Sequence, residues 1–204
     1  MIVKICGITR PQDAERAIAL GATAIGFIFW PSSPRRIGLE AARSIGRLVP
    51  ASVLKVGVFV DAPAEELART VDEAGLDAVQ LHGSESPALV RGLEARVIKA
   101  VALGSPDADA QIAQWTGTTL LLDAHDPVRH GGTGRVVDWD RAAGLASRHE
   151  VILAGGLNPE NVAEAVRRVR PAGIDVSSGV EQTPGVKDLV KLAALFDALA
   201  GVEV

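Results

Sequence analysis

Residues capable of acid–base or anion chemistry recur at one kind of place in this sequence, just after short apolar runs. Cys6 closes Ile2–Cys6, His82 follows Ala78–Leu81 and Asp123 follows Thr118–Leu122. Gly155-Gly156 follow Val151–Ala154, and Ser177-Ser178-Gly179 follow Ile174–Val176. Arg35 and Arg36 lie beyond Ala24–Phe29. A thiol, with an ordinary pKa of about 8.5, becomes a base once its thiolate is modestly favoured. A carboxylate at a strand end suits general acid catalysis. Glycines let backbone N–H groups approach an anion closely, and N–H groups at a helix start favour negative charge. Each feature also has a plainer reading. A lone cysteine is a small buried hydrophobe, an aspartate caps a turn, and paired glycines make tight turns.

The elements that must position these residues alternate along the chain. Strands are expected at Ile2–Cys6, Ala24–Phe29, Leu54–Val60, Ala78–Leu81, Ala95–Val101, Thr118–Leu122, Val151–Ala154 and Ile174–Val176. Helical periodicity fills 11–20, 39–48, 63–74, 85–92, 107–115, 138–147, 158–168 and 187–200. Gly21, Gly75 and Gly173 stand where a helix stops and a strand starts, a place that favours glycine. Asn158-Pro159-Glu160 reads as N-cap, first-turn proline and first-turn acid. Strands this apolar suit a parallel sheet covered by helices. Eight such units, at about 25 residues each, make a single-domain (β/α)₈ barrel over residues 1–204, in the α/β class. A doubly wound open sheet is the alternative, but Cys6-Gly7-Ile8-Thr9 lacks its dinucleotide turn.

In such a barrel the site lies at the C-terminal strand ends, where loops seven and eight commonly cradle phosphate. Gly155, Gly156, Ser177, Ser178 and Gly179 fall there. Strands one and six flank that pair, so a sugar phosphate held there would lie between Cys6 and Asp123. A base and an acid on opposite sides of a sugar is a layout for isomerisation. Asp123 opens into Ala124–Asp138, whose Gly131-Gly132-Thr133-Gly134 suits a lid. His125 and His130 in that loop lack a third ligand, so no metal is expected. Asp13–Glu15 reads as a solvated helix face.

Composition narrows the class. The 204 residues are 48% hydrophobic, enough for a full core, and the formal net charge of −4 argues against nucleic-acid or anionic-membrane partners. One cysteine precludes an intramolecular disulfide. With no signal peptide legible and no apolar run near the roughly 18 residues that span a bilayer, a cytoplasmic setting is expected.

The motifs in their order resemble the phosphoribosylanthranilate isomerase family over nearly the whole chain. They are Lys4-Ile-Cys-Gly-Ile-Thr9, Gly26-Phe-Ile-Phe29 with Ser33-Pro-Arg35, Gly57-Val-Phe-Val60, and Val79-Gln-Leu-His-Gly83. They continue through Leu121-Leu-Asp-Ala124, Leu153-Ala-Gly-Gly-Leu157, and Asp175-Val-Ser-Ser-Gly-Val-Glu181 with Pro184-Gly-Val-Lys187. The resemblance implies an Amadori rearrangement of N-(5′-phosphoribosyl)anthranilate in tryptophan biosynthesis, without cofactor. It makes Asp123 the acid, Cys6 the base and Arg35 the holder of the anthranilate carboxylate. His82 and Asp175 take substrate-binding places at the mouth. Trp30 and Asp61 depart from the family's usual residues, and Asp61 is expected to point away from the anionic ligand. Two rivals stand beside this: a histidine-pathway sugar-phosphate isomerase on the same fold, and a non-catalytic barrel that binds a phosphorylated ligand. The substrate is small and phosphorylated in each case, and a monomer or weak homodimer is expected.

Overall fold

A computed structural model describes residues 1–124 and 137–202. Eight strands close into a parallel barrel: β1 (Ile2–Cys6), β2 (Ala24–Ile28), β3 (Leu54–Phe59), β4 (Ala78–Leu81), β5 (Arg96–Ala102), β6 (Thr119–Asp123), β7 (Val151–Leu153) and β8 (Gly173–Val176). The ring closes where β1 pairs with β8, Lys4 opposite Asp175, while on its other side Lys4 faces Ala24 and Cys6 faces Gly26. The helices are α1 (Pro11–Leu20), α2 (Leu39–Gly46), α3 (Ala64–Ala74), α4 (Ala108–Gln114), α5 (Trp139–Ala146), α6 (Val162–Val169) and α7 (Leu189–Ala200).

Strand alternation divides the core in two. Outward residues such as Ile5, Phe27, Val79, Leu122 and Ile174 pack under the helices. Inward, Ala24, Val56, Ala78, Ile98, Leu121 and Ile152 form an apolar plug within the barrel. That plug carries the chemically capable residues above it at the C-terminal mouth. Gly21 and Gly75 adopt the left-handed conformation at the ends of α1 and α3, as their places in the sequence require.

Four expectations are corrected. Segment 85–92 forms only a 3₁₀ turn, Pro87–Val90. Glu85 is drawn beneath the loop, accepting from Lys99 at 2.8 Å and from the N–H groups of Asp61 and Gly83, and Gly92 turns left-handed just beyond. The helix expected at 158 begins at Val162, because Asn158 and Asn161 first knit a separate turn. Asn158 Oδ1 accepts from the N–H of Asn161, and Asn161 Oδ1 accepts from that of Asn158. Gly173 is a strand residue, and Arg170 takes the left-handed position at φ 51°. Glycine is needed at 173 because a Cβ would stand 2.6 Å from Ile2 Cβ. Asp13 is fully buried rather than solvated, binding Arg10 through both oxygens and accepting the Lys187 N–H at 3.0 Å.

An antiparallel hairpin went unforeseen, β9 (Glu181–Thr183) with β10 (Val186–Lys187), lying between β8 and α7. It turns through Gly185 at φ 79°, which Thr9 and Glu181 hold by hydrogen bonds to its carbonyl and N–H.

Candidate active site

The mouth of the barrel holds a cavity of about 640 Å³, within the range of small-molecule sites. Cys6, Arg35, His82, Asp123 and Asp175 all line it, as do Gly155, Gly156, Ser177 and Ser178. Gly179 stands behind that wall. A Cβ there would collide with the Leu157 carbonyl oxygen, so its missing side chain lets loop eight close against loop seven. Gly155 and Gly156 are left-handed, at φ 80° and 69°. A Cβ on Gly155 would press the Ala124 nitrogen at 2.8 Å and Asp123 Oδ1 at 3.1 Å. Loop seven is therefore seated against the end of β6. The helix start expected behind this cradle is displaced, since α6 begins only at Val162. Asn161 ties the intervening turn to the Gly156 carbonyl with a 2.9 Å hydrogen bond.

On one side stands Cys6, buried at the end of β1. Burial pushes its thiol above the ordinary value; Lys4 pulls it down, and Asp175 raises it further. Lys4 lies one inward position below Cys6 and donates to Asp175 Oδ1 at 2.9 Å. On the other side, Asp123 Oδ1 accepts from the Ala124 N–H at 2.8 Å, and its Oδ2 stands 3.4 Å from His82 Nε2. Gln80, two residues before His82 on the same inward face, donates from Nε2 to His82 Nδ1 at 3.0 Å. Gln80 Oε1 is buried and has no hydrogen-bond partner among the described residues.

Arg35 and Arg36 separate cleanly. Arg36 is exposed, while Arg35 is buried and grips Glu181 through Nε at 2.9 Å and Nη2 at 2.7 Å. Lys187 Nζ completes the cluster, donating to Glu181 at 2.9 Å and to the carbonyls of Cys6 and Ser177 at 2.6 and 3.1 Å. Burial alone would raise the Glu181 carboxyl, but Arg35 and Lys187 outweigh it and hold it below the usual carboxylate range. The hairpin thus fastens the loop after β2 to the ends of β1 and β8. Asp61 turns to loop four, accepting the Ser84 N–H at 2.7 Å, and is not among the residues lining the cavity.

Sequence reasoning included Lys4, Gln80, Glu181 and Lys187 in its motifs but gave them no role. For the first two a signal existed. Each is a polar residue two places from a singled-out residue within an otherwise apolar strand, and so shares its inward face. Glu181 and Lys187 carried no such mark, because their meeting depends on the hairpin. Among the described residues, no group of three or more His, Cys, Asp or Glu is placed to hold a metal, and no helix is long and apolar enough to cross a membrane. Residues 131–134, His125 and His130, read as a lid and its histidines, lie outside the described residues.

Residues 3–198 match the family described as N-(5′-phosphoribosyl)anthranilate (PRA) isomerase. The N-(5′-phosphoribosyl)anthranilate isomerase of Pelobacter propionicus is 47% identical over 190 residues, covering 93% of this chain and 91% of that protein. The crystal structure of phosphoribosyl anthranilate isomerase from Thermus thermophilus superposes with a TM-score of 0.89 at 48% identity, covering 98% of both chains. A phosphoribosyl anthranilate isomerase in complex with reduced 1-(o-carboxyphenylamino)-1-deoxyribulose 5-phosphate superposes with a TM-score of 0.88 at 38% identity, covering 99% of this chain and 100% of that one. The chain belongs to the phosphoribosylanthranilate isomerase family.

Proposed function

We propose that this chain catalyses the Amadori rearrangement of N-(5′-phosphoribosyl)anthranilate to 1-(2-carboxyphenylamino)-1-deoxyribulose 5-phosphate in tryptophan biosynthesis, through Asp123 as acid and Cys6 as base. The observation that carries the assignment of roles is one cavity lined by a carboxyl, a thiol and two glycine-bearing turns. Asp123 gives its proton to the furanose ring oxygen as the C1′–O bond breaks and the nitrogen lone pair forms the Schiff base. The Cys6 thiolate then removes the C2′ proton, and those electrons neutralise the iminium to leave an enolamine. Protonation at C1′ with loss of the O2′ proton gives the ketone. Gln80 and His82 orient Asp123, and Arg35, itself oriented by Glu181, meets the anthranilate carboxylate. His82 and Asp175, which both line the cavity, take substrate-binding places at the mouth. Gly155, Gly156, Ser177, Ser178 and Gly179 hold the phosphate, mainly through backbone N–H groups. The working form is a single-domain barrel, monomer or weak homodimer, in the cytoplasm.

Fluorescence-monitored turnover of freshly made phosphoribosylanthranilate tests this reading. Cys6→Ser and Asp123→Asn should each lower kcat by at least about 10²-fold, the low end for general acid–base catalysis, with KM changed far less. Near-normal turnover in either variant removes the role given to that residue. Absence of turnover in the unaltered protein, with ligand binding kept, would favour a binding barrel instead.

A further inference from the structure

A buried thiol is a poor base unless something stabilises its anion, and the floor of the cavity contains a candidate. We infer that Lys4 is a positioning residue that holds a counter-charge against Cys6 Sγ, so that the thiol can ionise for the proton transfer assigned to it above. The inference rests on the reading of Cys6 as the base.

Lys4 is fully buried and Cys6 nearly so, and strand alternation aims both into the barrel. Gly26 lies opposite Cys6 on β2. A Cβ there would stand 2.8 Å from Cys6 Sγ and 3.1 Å from Lys4 Nζ. The thiol and the ammonium therefore converge on one gap that exists because residue 26 has no side chain. Asp175 fixes Nζ in that gap from β8. Burial opposes charge on Lys4, but Asp175 and Cys6 more than offset it and hold its pKa above the ordinary lysine value. Lys4 thus stays an ammonium throughout the working range. Of the forces that lower the Cys6 thiol, Lys4 is the largest.

Among the described residues, the other charged groups near Cys6 are already engaged. Lys187 donates to three acceptors, Glu181 among them. Arg35 is bound to Glu181, and Asp123 Oδ2 stands 3.4 Å from His82 Nε2. Asp175 works against the thiolate, so its removal and the removal of Lys4 should act in opposite directions.

The test uses the full chain. It has one cysteine and no tyrosine, so ultraviolet thiolate absorbance reports Cys6 alone, and iodoacetamide alkylation gives a second measure. Lys4→Met should move the thiol titration up by about one unit, which slows alkylation at a fixed lower pH roughly tenfold. The acidic limb of kcat/KM should move up with it. Asp175→Asn should move the titration down. The double variant Lys4→Met/Asp175→Asn carries no unpaired buried charge and should titrate above Asp175→Asn alone. That comparison decides the matter should Lys4→Met not fold. A lysine that merely plugs the floor would change stability and leave both titrations where they were, which would overturn the inference. Full activity in Cys6→Ser would remove the base assignment instead, while the titrations would still report on Lys4.

Discussion

Glu181→Gln removes one charge from a cluster whose members are nearly dry. Glu181 accepts from Arg35 Nη2 at 2.7 Å and from Lys187 Nζ at 2.9 Å, and the three side chains are 4%, 11% and 0% exposed in that order. Glutamine keeps the shape but turns one acceptor into a donor and leaves two buried cations without a counter-ion. Removing one partner of a buried pair costs about 3–5 kcal/mol, and two stranded cations argue for the upper end. For a chain of this size that lowers Tm by roughly 6–20 °C. The pH dependence has a definite sign. The folded carboxyl is held below its usual range, so its contribution is complete above the ordinary glutamate value and is lost as pH falls through the lowered one. Urea unfolding followed by tryptophan fluorescence should therefore show the full gap between parent and variant at pH 7. The gap should narrow at pH values below about 4. A gap under about 1 kcal/mol at pH 7, or one that stays constant into acid, would refute the account of this cluster as a buried pair held by charge.

Two further substitutions test the binding assignments. Arg35→Ala should raise KM for the anthranilate-bearing substrate at least about tenfold and also lower stability by stranding Glu181, whereas exposed Arg36→Ala should change either little; steady-state kinetics showing the larger effect at Arg36 would reverse the assignment. Gly179→Ala would drive a Cβ onto the Leu157 carbonyl, 2.9 Å from its carbon, and should part loops seven and eight. Overpacking of this kind costs about 1–3 kcal/mol, and KM should rise at least about tenfold with kcat within a few-fold; an unchanged KM would remove the phosphate from that junction.

The sequence alone was enough for the strands and for the placing of most of the site. Short apolar runs marked all eight strands to within a residue or two, because a parallel strand covered on both faces has to be apolar almost throughout. Once the strands are known, barrel closure puts their C-terminal ends together, and Cys6, His82, Asp123, Gly155 and Ser177 follow from that. Period-two spacing also held Lys4 and Gln80 in view, though neither was singled out. What tertiary structure alone decided is whatever depends on two distant segments meeting. The hairpin 181–187 has no long alternation of its own and is held by Thr9, Asp13, Arg35 and Lys191 from other parts of the chain. Asp13 looks like a surface helix residue until Arg10 and the Lys187 N–H enclose it. Segment 85–92 has helical periodicity, yet Lys99 on β5 pulls Glu85 inward and shortens it to a turn. Local pattern reports the period of burial along one segment, whereas a buried charge takes its position from partners that folding brings from elsewhere.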